Sequence, residues 1–209
     1  FEGVTHVSFK SPFPDVEIPN LSVYDFLFGR VDPAAGERPA LIDGASGAVT
    51  TYQSLVAQIG GVAGALAARG LAVGEVVALH SPNVPAFAAV FHGILRAGGV
   101  ATTINALYTP RDIAQQLTDS HAKILSTVSP LLPQATAAAV KVGIPDENVI
   151  VLDGADGHPS LTDLLTEAHP APAVSFDPAT HLAVLPYSSG TTGRPQGVVL
   201  THRNLVATV

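Results

Sequence analysis

The sequence predicts an α/β fold built on a parallel sheet of repeated βαβ units. Four β-like runs, Val76–Ser81, Val100–Asn105, Lys123–Val128 and Asn148–Asp153, begin 24, 23 and 25 residues apart, and each interval holds a helix-like segment. That rhythm is the signature of strands joined by crossover helices.

In chain order, residues 1–20 contain Pro12, Pro14 and Pro19, each of which fixes φ and disfavours helix in the residue before it. An extended arm is predicted. Ser22-Val23-Tyr24-Asp25 has capping-box spacing with Asp in the Glu position, and Gly29 can stop the short helix it opens. Ala40–Asp43 and Ala48–Thr51 flank Gly44-Ala45-Ser46-Gly47 and predict a β-hairpin. Gln53–Arg69 reads as a helix closed by Gly70, although Gly60, Gly61 and Gly64 would each weaken an isolated helix by ~1 kcal/mol relative to Ala. These glycines do not follow a strand as a dinucleotide fingerprint requires, so close packing of the helix on a sheet is expected.

Between the four runs, Pro85–Arg96 carries Phe87, Val90, Phe91, Ile94 and Leu95 as a core-facing stripe. Thr109-Pro110-Arg111-Asp112 supplies an N-cap, a first-turn proline and an acidic third position for the next helix. Pro130–Val142 is rich in alanine and ends at Gly143. A short helix, Leu161–Glu167, is opened by Ser160 with Asp163 three residues on, and His169–Pro178, with its prolines, reads as a linker. The plan along the chain is therefore an extended arm and short helix over 1–36, an α/β subdomain over 37–180, and a strand–loop–strand segment over 181–209.

Composition excludes several classes. Net charge is −7 with only 10 Lys and Arg, which argues against a basic nucleic-acid-binding face. There is no cysteine, so disulfides and thiolate metal sites are excluded, and a cytoplasmic location fits. The most apolar patch, Val84–Leu95, is broken by Pro85, His92 and Gly93, so no membrane span is predicted. The chain starts at Phe1, lacks methionine and is 47% hydrophobic against 13% charged. A fragment is expected, with apolar faces that belong against further downstream chain and could drive self-association.

The functional signal lies in 187–203, Tyr-Ser-Ser-Gly-Thr-Thr-Gly-Arg-Pro-Gln-Gly-Val-Val-Leu-Thr-His-Arg. Four of the five residues from Ser188 to Thr192 carry hydroxyls, glycines punctuate the run, Arg194 adds positive charge and no carboxylate interrupts it. Converging backbone N–H groups and hydroxyls of that kind suit an anion, and a polyphosphate is the natural guest. Stretches of such composition are usually plain flexible loops. Here Val184, Leu185 and Tyr187 lead in and Val198, Val199 and Leu200 lead out, so strands are predicted on both sides. The Walker pattern, with its Gly-Lys-Ser/Thr opening a helix, is not met. No Gly-x-Ser-x-Gly elbow supports Ser188 or Ser189 as nucleophile. The eight histidines lack metal-ligand spacing, His92 and His121 are read as core or surface residues, and His202, just past the loop, is read first as structural. Asp153, Asp156 and Asp163 miss the calcium-loop spacing and are read as turn formers.

Ser-Ser-Gly-Thr-Thr-Gly-Arg-Pro-Gln-Gly-Val resembles the phosphate-binding signature of the adenylate-forming enzymes, the acyl- and aryl-CoA synthetases, luciferases and adenylation domains. The usual form ends Pro-Lys-Gly, and Gln196 stands in the lysine position. Other stretches are similar to the 4-coumarate–CoA ligase branch: Ser11-Pro12-Phe13-Pro14-Asp15-Val16-Glu17-Ile18-Pro19-Asn20, Thr51-Tyr52-Gln53-Ser54-Leu55, Ser81-Pro82-Asn83, Arg96-Ala97-Gly98-Gly99-Val100 through Tyr108-Thr109-Pro110, and Thr201-His202-Arg203-Asn204. The resemblance implies the N-terminal part of an ATP- and Mg²⁺-dependent ligase. Such an enzyme adenylates a small carboxylic acid and then transfers the acyl group to CoA. By motif position it implies that Ser188, Ser189, Gly190, Thr191, Thr192, Gly193 and Gln196 bind ATP. The adenine and acid pockets, the acidic magnesium segment and the catalytic lysine are expected beyond Val209, so no catalytic residue is expected in these 209 residues. The alternative is a non-catalytic nucleotide- or protein-binding module of the same fold.

Overall fold

The computed structural model describes residues 11–188 and 195–209. The first helix, α1 (Val23–Phe28), is capped by the Ser22 side chain, which accepts from the Asp25 N–H. Gly29 ends it with φ −64°, an ordinary right-handed value, so glycine's freedom is not needed there. β1 (Pro39–Ile42) and β2 (Val49–Thr51) form the expected antiparallel hairpin. Asp43 closes its turn by accepting from the Ala45 and Ser46 N–H groups. Thr51 then caps α2 (Tyr52–Ala68).

The chain next alternates strand and helix: β3 (Val76–His80), α3 (Pro85–Arg96), β4 (Val100–Ile104), α4 (Pro110–Ser120), β5 (Ile124–Thr127), α5 (Leu132–Val142) and β6 (Val149–Val151). α6 (Leu161–Thr166) follows, and then four very short strands and a helix: β7 (Leu182–Val184), β8 (Tyr187–Ser188), β9 (Gln196–Gly197), β10 (Leu200–Thr201) and α7 (His202–Val206). The helix starts agree with the sequence because their causes are local. Thr109 with Asp112, and Ser160 with Asp163, form reciprocal capping boxes.

The central sheet has the order β10-β7-β4-β3-β5-β6 among the described residues. Neighbours from β7 to β6 run parallel, and β10 is antiparallel to β7. Its two faces are covered by different helices, and the strands alternate accordingly. Val77, Leu79, Ile124 and Ile150 join the core shared with α2, α3 and Leu164 of α6. Their immediate neighbours Ala78, Leu125 and Val149 face the second core, under α4 and α5.

Three expectations change. The glycines of α2 do not bring it close to a sheet. A Cβ on Gly61 would meet Leu165 of α6, one on Gly64 would overlap the His169 carbonyl, and one on Gly60 would meet nothing. The segment 169–178 is packed rather than a free linker. Arg96 donates to the Pro172 carbonyl, and Phe176 stacks on His181 and His202 at centroid distances of 4.1 and 4.7 Å. Finally, each predicted flank of the loop is split. Pro186, which cannot donate to a ladder, separates β7 from β8, and Val198–Val199 lie between β9 and β10. β7 nevertheless pairs with β4, and β10 with β7, so both join the central sheet.

Candidate functional site

The loop signature begins on β8 and ends on β9. Tyr187 pairs with Gly197 and Ser188 with Gln196, so the first and last of the sequence-predicted ATP-binding residues face each other across an antiparallel pair. Both are exposed. The other predicted residues, Ser189, Gly190, Thr191, Thr192 and Gly193, lie outside the described residues, as does Arg194.

The root of this pair is tied to the parallel sheet. The Leu185 N–H donates to the Ala101 carbonyl at 2.9 Å, and the Thr102 hydroxyl donates to the Leu185 carbonyl at 2.7 Å. Thr102 in turn accepts from the Gln116 side-chain amide at 2.9 Å, which also donates to the Thr103 carbonyl at 3.0 Å. Thr102 and Gln116 are buried, so this chain of bonds leaves neither the hydroxyl nor the amide without a partner. The Val198 N–H closes the other side on the Pro186 carbonyl at 2.8 Å.

Tyr187 makes a second attachment. Its hydroxyl donates to Asp119 Oδ2 on α4 at 2.5 Å. Burial raises the phenol pKa well above its ordinary value, and the hydrogen bond to Asp119 and that carboxylate's charge push it the same way. The phenol is therefore a fixed donor at any physiological pH. On the opposite strand, a Cβ on Gly197 would crowd Leu185 Cδ1 at 3.2 Å and Tyr187 Cζ at 3.3 Å, so glycine is what lets the two strands close over the tyrosine ring.

Beside the pair is a cleft of about 500 Å³ at the carboxyl ends of β3 and β4, lined by Ser81, Asn83, Asn105, Gln116, Pro186 and Tyr187 among others. Open parallel sheets bind ligands outside the carboxyl ends of their strands, which is where the loop is rooted.

The sequence pattern of the AMP-binding enzyme family matches residues 30–209. The chain belongs to that family. It is 36% identical over 208 residues to 4-coumarate–CoA ligase 3 of Oryza sativa subsp. japonica, covering 97% of this chain and 36% of that protein. The 4-coumarate–CoA ligase of Pinus taeda is 38% identical over 206 residues, covering 96% and 37%. Among solved structures, ATP-bound MatB from Rhodopseudomonas palustris superposes with a TM-score of 0.75 at 34% identity, over 91% of this chain and 36% of that one. The chain thus spans little more than a third of the length of these relatives.

For a family that binds nucleotide, the described residues at the mouth of the pair are suitable but weakly charged. Ser188 and Gln196 offer a hydroxyl and an amide, neutral donors that fit phosphate oxygens. No group of three or more His, Asp or Glu that could hold a metal ion occurs among the described residues, so a magnesium ion has no such cluster here. His202 is buried and its Nδ1 accepts from the Val23 N–H, a structural role. No helix among the described residues is long and apolar enough to cross a membrane.

Sequence reasoning missed Thr102, Gln116, Asp119 and Tyr187 as supports of the site. One signal was present. Gln116 interrupts the buried stripe of α4, where Ile113, Ala114 and Leu117 are apolar, and a polar residue on such a stripe requires a buried partner.

Proposed function

We propose that this chain is the N-terminal part of an ATP-dependent carboxylate–CoA ligase acting in the cytoplasm on an aryl or acyl acid. The observation that carries the proposal is the β8–β9 pair. In a chain of the AMP-binding family, it brings Ser188 and Gln196, the first and last of the residues proposed to bind phosphate, opposite each other beside the cleft at the carboxyl ends of β3 and β4. In the proposed reaction the acid's carboxylate attacks the α-phosphate of ATP, with Mg²⁺ as its counter-ion. The products are an acyl-adenylate and pyrophosphate, and CoA thiol then displaces AMP to give the thioester. The loop from Ser188 to Gly193, with Gln196, would hold the β- and γ-phosphates. That orients the α-phosphate for in-line attack and stabilises charge on the departing pyrophosphate.

The names of the relatives support an aryl acid, and CoA as the acceptor, as the first substrates to try. Carboxylate-dependent ATP–pyrophosphate exchange, run with a panel of aryl and acyl acids on the protein at the full length of its relatives, tests the reading. Exchange with at least one acid is expected, and none with any acid counts against it. Residues 1–209 alone are expected to bind nucleotide without supporting exchange.

Gln196 favours a second reading. An amide cannot replace the ammonium that the signature usually presents, and charge-assisted hydrogen bonds are roughly twice as strong as neutral ones. A module that binds nucleotide or protein without catalysis would retain the fold and tolerate that change. Exchange activity decides between the two.

A further inference from the structure

We propose that Asp119 is a positioning residue for the nucleotide loop, acting through Tyr187. The inference rests on the proposed function, in that it takes the β8–β9 pair to be the polyphosphate-binding element. The pair contains two residues on each strand, and an isolated two-stranded hairpin of even greater length is marginal in water. Its orientation must therefore come from outside. Thr102, Ala101 and Gln116 fix Leu185, two residues before β8, and so fix where the pair leaves the sheet. Their hydrogen bonds end at Leu185 and do not extend to the pair itself.

Tyr187 does. It is the residue immediately before Ser188, its ring lies against Gly197 on the opposite strand, and its hydroxyl donates to Asp119. The far end of that bond is rigid. α4 is closed at its start by the Thr109–Asp112 capping box, and its buried face includes Ile113, Gln116 and Leu117. A bond from the ring beside the loop to the last turn of a packed helix therefore sets the angle at which Ser188 and Gln196 are presented.

The chemistry of the site also asks for an explanation of Asp119. A carboxylate close to an anion-binding loop repels its guest, so its presence there needs a role other than binding the anion. Accepting the Tyr187 hydroxyl supplies one.

The test uses the 209-residue chain with Tyr187→Phe, Asp119→Ala and Asp119→Asn, the last retaining a carbonyl acceptor for the phenol. Two quantities are read: amide hydrogen exchange at Val198, whose N–H closes the pair on Pro186, and affinity for pyrophosphate and for ATP. Tyr187→Phe and Asp119→Ala are expected to speed exchange at Val198 about tenfold, with α4 and β3 unchanged, and to weaken both ligands by a similar factor. Asp119→Asn is expected to stay within about twofold of the unsubstituted chain in exchange, and to bind the anions at least as tightly. Unchanged exchange at Val198 overturns the inference whatever the chain binds. Faster exchange with unchanged affinity overturns it too, because the bond would then be purely structural. Failure of the unsubstituted chain to bind either anion overturns the polyphosphate reading, and this role for Asp119 with it.

Discussion

His202 accepts the backbone N–H of Val23 on its Nδ1 at 3.1 Å, joining the first helix to the last across 179 positions of the chain. Val23 opens α1, where N–H groups lack intrahelical partners, so His202 serves as a cap supplied from far along the sequence. The ring is buried and stacks on Phe176, with His181 at 5.7 Å beyond. Accepting at Nδ1 requires the neutral imidazole.

This arrangement predicts acid lability. Burial, and then the neighbouring His181, pull the His202 pKa down to about 4, partly opposed by Asp25. Above the unfolded value near 6.5 both states hold neutral histidine, and this group adds no pH dependence. As pH falls from about 6.5 towards 4, the unfolded chain takes up a proton that the folded one refuses, and stability drops by at most ~1.4 kcal/mol per pH unit for this residue. His92, also lowered to about 4 by burial, adds to the slope. His202→Asn keeps an acceptor for Val23 but cannot titrate. Denaturant midpoints measured between pH 7 and 4 should fall less steeply in that variant, and identical slopes would refute the assignment.

Gly64 and Gly60, one turn apart on α2, should respond in opposite directions to alanine. A Cβ at Gly64 would sit 2.0 Å from the His169 carbonyl oxygen, while at Gly60 it would meet nothing within 4 Å. Gly64→Ala must displace backbone and is expected to cost about 1–3 kcal/mol, as overpacked cores do. Gly60→Ala should gain up to ~1 kcal/mol from helix propensity. Urea unfolding of the two variants measures the contrast directly, and equal effects would mean that the 169–170 backbone yields freely.

Thr102→Val is nearly isosteric yet should be costly. It leaves the Leu185 carbonyl without its hydroxyl donor and the Gln116 amide without its hydroxyl acceptor, in a buried setting. A loss of about 1–3 kcal/mol is expected from chemical denaturation. A change of less than about 0.5 kcal/mol would show that other groups satisfy both partners.

Gln196→Lys should tighten ATP binding. Position 196 is exposed and faces Ser188, so the longer side chain meets no packing penalty. Replacing a neutral donor by an ammonium should improve the dissociation constant about three- to tenfold at low salt, with the gain shrinking as ionic strength rises. Calorimetric titration with ATP at two salt concentrations provides the measurement, and no tightening at low salt would count against lysine-like phosphate contact from this position.

The agreement between sequence and fold is closest where the determinants are three or four residues apart. The Ser22–Asp25, Thr109–Asp112 and Ser160–Asp163 pairs mark helix starts, and Gly143 at φ +81° ends α5, because each acts within one helical turn. The parallel strands were legible from their even spacing, because each crossover helix takes up a similar length of chain between one strand and the next. Other features had no local trace. His121 and Ala168 adopt positive φ without being glycine, and the partner of Gly64 is a backbone segment a hundred residues away.

The phosphate-type loop divides in the same way. By itself the sequence determined its chemistry: hydroxyls and glycines in one run, no carboxylate among them, and an amide at 196 in place of a charge. Those are properties of residue type, which a chain carries whether folded or not. Only the tertiary structure decided that Ser188 and Gln196 face each other and that Thr102 and Gln116 hold their root. It also decided that Tyr187 is fastened to Asp119, 68 residues away. Contacts at that separation depend on which helix the fold lays beside which strand. A hairpin too short to hold its own shape takes its orientation from those neighbours.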